Sequence, residues 1–371
     1  MPRSFRGEVA AALSAALENA SIPADSAKLA IARIRSAGAN EPRLIARLTT
    51  AGKLNATKAY PTESEIKTLA AEVAQSGNAV RGEAVYRRAD MQCLKCHAIA
   101  GTGGLVGPDM TSLGASAPID YLVESLLNPN AKVKEGYNAI QVTTLSGKQI
   151  QGVKIREADG MLVLRNAEDK EESIRLDDID VRKESRSLMP DGLTDPLTKS
   201  EFLDLVKFLS ELGKVGPYAP NPARLFRKWE YIEGTGANTE RFRRTRIAVA
   251  AEKENGLTWT PTYTRVSGEL PIGEISKYSV WNNTEPQSVV RCLIDVTTAG
   301  PVRLKFNDLT GLTTFVNGKP VGGKNEIDVD LPVGTISVTM IVDRGKRNSE
   351  IKVELLDVPG SPARAKPVNG K

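Results

Sequence analysis

A proline-dense break, "GPYAPNPA" from Gly216 to Ala223, constrains the fold of this 371-residue chain more than any other stretch. Three prolines in eight residues fix φ and remove backbone donors, so neither a helix nor a strand runs through it. The apolar period differs on its two sides. Before it, short helical patterns such as "DSAKLAIARIRSAG" and "ESEIKTLAAEV" follow one another, punctuated by Gly38, Gly52 and Pro61. Beyond it the period is two: Val290, Cys292, Ile294 and Val296 share one face, as do Ile336, Val338, Met340 and Val342, then Ile351, Val353 and Leu355. A break between two periods predicts separate domains, two or three for this length.

Residues 1–78 form a helical segment with too few large apolar residues for a core of its own, so it reads as the end of a helical repeat array. Residues 79–215 begin and end with a helix and enclose a strand-rich insert at about 139–184. The runs "AIQVTTL", "QIQGVKIR", "MLVLR" and "SIRL" there, separated by Ser146-Gly147, Asp159-Gly160 and "AEDKEE", predict a compact antiparallel meander or small barrel. The closing helix carries a capping box, Thr198 to Glu201, and an apolar stripe of Phe202, Leu205, Val206, Leu209 and Leu212. After the linker 216–223, residues 224–360 predict an antiparallel β-sandwich, with Asn317-Gly318 as a type I′ hairpin turn, and 361–371 a tail.

With 40% hydrophobic and 26% charged residues and no apolar run of transmembrane length, the chain reads as soluble and without a membrane span. Its net charge of +5 is small, and the most basic run, "ERFRRTR" from Glu240 to Arg246, reads as the solvated face of a strand; no nucleic-acid partner is expected. The N-terminus is basic and Ala-rich, but Glu8 interrupts it and no A-x-A site follows, so it reads as an amphipathic helix and not as a signal peptide.

The chemistry concentrates in "CLKCHAIAGTGGLVGPDM", Cys93 to Met110, which holds two of three cysteines and the only histidine. Cys93-Leu94-Lys95-Cys96-His97 is the C-x-x-C-H pattern of covalent haem attachment. Two thiols one helical turn apart match the two vinyl groups on one porphyrin edge, and the adjacent imidazole reaches the iron. A structural zinc site lacks a fourth ligand, since Cys292 sits at an inward strand position and adjacent Cys96 and His97 share a tetrahedral ion poorly. A thioredoxin-like dithiol needs a preceding buried strand, whereas here a helix precedes the pair.

With one histidine, a second imidazole ligand is excluded, leaving methionine, lysine or an open position. Met1 is terminal, Met91 adjoins the motif, Met161 and Met340 lie in strand patterns, and Met110 closes the motif's own loop. Met189 stands out, because "SLMPDGLTDP" places it in a Pro/Gly-rich loop with no apolar period to explain it.

The run "RGEAVYRRADMQCLKCHAIAGTGGLVGPDM", the later "SLMPDGL" and the helix "TKSEFLDLVKFLSEL" together resemble a class I c-type cytochrome. With "YLVESLLNPNAKVKEGY" and the strand insert between them, residues 79–214 more closely resemble the haem-binding domain of the Planctomycetes and Verrucomicrobia type. The resemblance implies a multi-domain α+β chain: a helical N-terminal segment, an all-α cytochrome c core with an inserted antiparallel β-unit, and a C-terminal β-sandwich. It implies one haem c, covalent through Cys93 and Cys96, with iron held by His97 and Met189. Pro108, with Gly107 before it, is implied as the carbonyl partner of the His97 ring, and Tyr86 with Gly82, Leu205 and Phe208 as the crossing of the terminal helices.

His/Met ligation leaves no open position and raises the potential, which favours one-electron transfer over catalysis. The chain is thus expected to be an electron carrier more than an enzyme, the accepting part of a larger exported oxidative system that oxidises carbohydrate, in a periplasm-like compartment, with a redox protein or dehydrogenase domain as partner. Two rivals stand beside it. One is a peroxidase-like haem enzyme with a displaceable distal ligand; the other is a carbohydrate-binding or adhesion module centred on the sandwich, with Trp281 in "WNNTE" as a stacking ring.

Overall fold

The computed structural model describes residues 3–36, 39, 41–54, 59–253, 255–280 and 285–370. The described residues form ten α-helices and seventeen strands in four sheets, so the chain is mixed α and β throughout. This corrects the expectation of an all-α core, which is not evident: a β-hairpin lies within the Cys/His stretch and a five-stranded sheet within 79–215. The chain divides into two compact units: Met1–Cys96, Val106–Pro108 and Ser112–Lys214 in the first; His97–Leu105, Asp109–Thr111 and Val215–Lys371 in the second. Among the described residues no helix is long and apolar enough to cross a membrane.

The first unit opens with helices α1 (Arg3–Ala16), α2 (Ala24–Ser36), α3 (Pro42–Ala51) and α4 (Glu63–Ser76). Ala10, Ile31, Leu44 and Leu48 form a small core among the first three. Helix α4 starts at a capping box in which the Glu65 amide donates to Thr62 Oγ1 and the Thr62 amide to Glu65 Oε2. Then come α5 (Ala79–Tyr86), α6 (Cys93–Cys96), the hairpin strands β1 (Ala98–Ile99) and β2 (Thr102–Gly103) of the second unit, α7 (Leu113–Ser116) and α8 (Ile119–Leu127).

Strands β3 (Ala139–Thr144), β4 (Gln149–Ala158), β5 (Met161–Arg165), β6 (Glu171–Arg175) and β7 (Ile179–Glu184) form an antiparallel sheet of order β6-β5-β4-β3-β7. Val142, Ile150, Leu162, Leu164 and Ile174 make its core. The first strand pairs with the last, and the Ser185 amide donates to Ala139 O, so the sheet enters and leaves at one place.

Helix α9 (Lys199–Glu211) packs against α4, α5, α7 and α8. Its capping box is formed as the sequence indicates, with the Glu201 amide on Thr198 Oγ1 and the Thr198 amide on Glu201 Oε2. Against α5 the approach is so close that a Cβ added at Gly82 would lie 1.9 Å from Asp204 O. At Gly114 of α7 it would lie 2.3 Å from Ser210 O. Only residues without side chains let these backbones meet. The Tyr86 and Phe208 rings then stack at 5.5 Å between centroids with a 53° tilt, a contact of about 0.5–1.5 kcal/mol beyond its buried area.

The second unit continues with β8 (Lys228–Tyr231), α10 (Gly236–Thr245), β9 (Thr260–Tyr263), β10 (Gln287–Thr298), β11 (Gly300–Phe306), β12 (Leu312–Val316), β13 (Lys319–Val321), β14 (Glu326–Leu331), β15 (Gly334–Asp343), β16 (Val353–Asp357) and β17 (Arg364–Pro367). A seven-stranded sheet, β13-β12-β15-β10-β8-β9 with β17 also on β10, faces the three-stranded sheet β14-β11-β16 across one apolar core. Val290, Cys292, Ile294 and Val296 all point into that core. Asn317 and Gly318 turn with φ of 50° and 78° between β12 and β13, the I′ geometry. Two expectations change here. The run Glu240–Arg246 belongs mostly to helix α10, started by Thr235 accepting from the Asn238 amide and buried only at Phe242, so it is no strand face. Within the expected tail, residues Arg364–Pro367 form strand β17, hydrogen-bonded to β10.

Arg347 is 1% exposed in this unit, with its guanidinium donating to the carbonyls of Asp308, Thr310 and Glu350 at 2.7–3.0 Å. One buried cation thereby closes a loop against the strand ends.

The Gly82 contact yields a prediction. Gly82→Ala is expected to cost about 3 kcal/mol, because the added methyl would meet the backbone carbonyl of Asp204 and the Phe208 Cβ, neither of which can rotate away. Denaturant unfolding of the helical unit, beside the exposed control Val80→Ala at under about 0.5 kcal/mol, checks it.

Candidate functional site

The Cys/His stretch begins where α5 ends, and its approach is fixed by charge. Arg88 donates through Nη1 to Glu201 Oε1 at 2.7 Å and through Nε and Nη2 to the Asp90 carboxylate at 3.0 and 2.7 Å. Glu201 is at once the capping residue of α9, so the strip 89–92 is pinned to the start of that helix. Its hydrogen bond to Arg88 holds the Asp90 carboxyl below its ordinary value. Behind the strip, Met91 is fully buried.

The turn of α6 sets the Cys93 and Cys96 thiols one helical turn apart, both partly exposed and neither in a disulfide. Cys93 Sγ donates to Met91 O at 3.5 Å. Burial pushes the Cys93 thiol up to about 12, with Cys96 and Asp90 acting in the same direction. The Gly107 amide donates to Cys96 O at 2.8 Å, which brings the loop carrying Gly107 and Pro108 back over the end of α6.

His97 follows α6 directly and belongs to the second unit, where it leads into the hairpin β1–β2. Ala98 pairs with Gly103 and Ile99 with Thr102, across a turn with φ of 52° at Ala100 and 76° at Gly101. A Cβ at Gly103 would lie 2.3 Å from His97 O, so the hairpin can close over the histidine backbone only with glycine there. The Ala100 amide reaches Thr111 Oγ1 at 2.7 Å and the Met110 amide reaches Ala98 O at 2.8 Å, giving Met110 a place in loop packing.

Met189 lies half-buried in a loop of the first unit, its amide donating to Ser187 Oγ at 3.1 Å. Asn130 holds both flanks of that loop, accepting from the Ser187 amide at 3.0 Å and donating to Asp191 at 3.3 Å. Of the expected site residues, Tyr86, Cys93, Cys96, Gly107, Pro108 and Met189 thus fall in the first unit and His97 in the second. Trp281 lies outside the described residues.

The cofactor expectation is corrected. Among the described residues no group of three or more His, Cys, Asp and Glu side chains is gathered that could hold a metal ion, and Cys93 and Cys96 form no disulfide, the Cys93 thiol being desolvated. The residues described do not present a ready-made set for one covalent haem c.

Three residues that order this region carry no motif. Asp204, 3% exposed, accepts from the Asn78 amide at 2.7 Å and from Arg81 Nε and Nη2 at 2.6 and 2.8 Å, docking the start of α5 on α9. Its signal in the sequence is a lone carboxylate within "FLDLVKFL", a helix apolar on most sides. Asn130 and Arg88 leave no such trace, because the contacts by which they order this region, to Ser187 and Glu201, join residues far apart along the chain.

A scan against protein-family models finds no match for this chain, and a search of curated proteins finds none either.

Two predictions come from this geometry. In the unmodified chain, Cys93 is expected to alkylate with iodoacetamide about 10³-fold more slowly at pH 8 than an ordinary thiol, with the rate still climbing between about pH 9 and 11. Peptide mapping by mass spectrometry reads the rate, and a plateau near pH 9 would contradict the burial. The second concerns acid. A carboxyl held below its ordinary value stabilises the fold above the unfolded pKa, about 3.9, and stops doing so as pH falls through its depressed native value. Asp90→Asn is therefore expected to be less stable than the parent at pH 7 by a modest margin, under about 1 kcal/mol for so exposed a pair, and the gap should close below about pH 4. Urea melts across that range decide it.

Proposed function

We propose that this chain serves one-electron transfer, in the manner of the class I c-type cytochromes that residues 79–214 resemble, and that it works in an exported, periplasm-like compartment beside a redox partner protein or dehydrogenase. The observation that carries the reading is the C-x-x-C-H turn itself. Cys93 and Cys96 share one helical turn, His97 adjoins them, and the Gly107 amide ties the following loop to Cys96. The strip entering that turn is pinned through Arg88 and Glu201 to α9. A rigid, pinned segment suits electron exchange, which needs little rearrangement and no group acting as acid, base or nucleophile.

Nucleophilic thiol chemistry is disfavoured on physical grounds. A reactive cysteine needs a depressed pKa in an electropositive setting, and the Cys93 thiol is shifted the opposite way.

A second reading concerns the β-sandwich as a carbohydrate-binding module. It is favoured by an open cleft of about 510 Å³ at one margin of the sandwich, within the size range of small-ligand sites.

The electron-transfer reading is tested by redox titration of the full chain. A one-electron wave is expected, lost in His97→Ala. A two-electron wave would assign the motif to a dithiol couple instead, and the absence of any wave would sink the reading.

A further inference from the structure

We propose that the cleft beside the end of β16 binds a carboxylate-bearing saccharide, with Arg364 as the group that takes the acid; this rests on the reading of the sandwich as a carbohydrate-binding module. The cleft is walled by Arg224, Pro301, Asp357, Ser361, Pro362 and Arg364, together with the small residues around them. It lies among the end of β16, the turn that follows it, the start of β11 and strand β17.

Its walls are set in advance of any ligand. The turn from Val358 to Ser361 has Pro359 and then Gly360 at φ of 78°, closed by the Ser361 amide on Val358 O at 3.0 Å, which is type II geometry. Ser361 Oγ donates to Pro301 O at 2.6 Å and accepts from the Ala363 amide at 3.1 Å, fastening that turn to the start of β11. Prolines on both sides further restrict the backbone, so little conformational freedom is left to lose on binding.

The polar groups divide into occupied and open ones. Arg224 is committed: Nη2 donates to Asp357 Oδ1 at 2.6 Å and Nη1 to Ala365 O at 3.2 Å. That leaves Asp357, whose side chain is 77% exposed, with acceptor capacity toward the cleft, oriented by the Arg224 fork. Arg364 is exposed, and among the described residues no hydrogen bond or ion pair engages its guanidinium; only its carbonyl is used, by Thr297 Oγ1 at 3.3 Å. A free planar fork beside an anchored carboxylate matches a ligand bearing one carboxylate and neighbouring hydroxyls. The acid pairs with Arg364 and the hydroxyls donate to Asp357. An apolar ligand finds too few apolar walls. Uronic-acid oligosaccharides carry both features.

The test uses the full chain and titration calorimetry with oligogalacturonate and oligoalginate, with cello-oligosaccharide as the neutral comparison. The acidic probes are expected to bind and the neutral one to bind at least 10-fold more weakly. Arg364→Ala is expected to lose at least 10-fold of the acidic affinity, Arg364→Lys less, and Asp357→Asn a several-fold part. Both positions are exposed, and unchanged unfolding midpoints verify that the fold is intact. Acidic binding untouched by both variants places the saccharide elsewhere and overturns the site. Equal binding of the neutral probe overturns the acid class, as does binding of the neutral probe alone, although the carbohydrate reading then stands. If none of the three probes binds, the site and the carbohydrate reading fall together.

Discussion

The first unit depends on a missing methyl group. Helix α9 runs against four other helices, and its contact with α5 is possible only because Gly82 offers no Cβ to Asp204 O. Once the two backbones are that near, the Asp204 carboxylate is carried into the interior, where it would be costly without partners. The Asn78 amide and the Arg81 fork supply them. Steric permission and charge compensation are therefore two halves of one contact. The Tyr86 and Phe208 rings and the Arg88–Glu201 pair extend it toward the Cys/His turn.

What could be read from the sequence follows the range of the interaction concerned. Local signals were legible: the capping box at Thr198, the I′ turn at Asn317-Gly318, the inward set Val290, Cys292, Ile294 and Val296, and four of the five strands between 139 and 184. The fifth, β7, escaped because "IDVRKE" is exposed at five of six positions, so no apolar alternation marks it. The β1–β2 hairpin escaped for a related reason, since two residues per strand are too few to show a period. The run Glu240–Arg246 misled because charge alone does not distinguish a solvated strand from a solvated helix, and the deciding cap at Thr235 lies outside it.

At the candidate site the balance is similar. The C-x-x-C-H spacing is local and is found on one turn and its successor, and the loop position of Met189 is seen as read. The division of His97 from the two cysteines between compact units is a tertiary fact that spacing does not encode. Nor does spacing encode the desolvation of Cys93, which depends on what packs around it. A motif of this kind specifies which side chains are near one another along the chain; their chemical character is set by the surroundings.

The five-stranded sheet between α8 and α9 has its first strand paired to its last, and Asn130 joins the two flanks of the loop to which the chain returns. Topologically it is a closed loop whose neck is already tied. Opening the sheet then frees chain on one side of the neck only, so it can melt as a foldon of its own while the Met189 loop and α9 stay in place. Such an appendage is also easy to lengthen, because the entropy of closing a longer loop grows only logarithmically. The helical unit can thereby host a structured insertion of considerable size without moving its own helices.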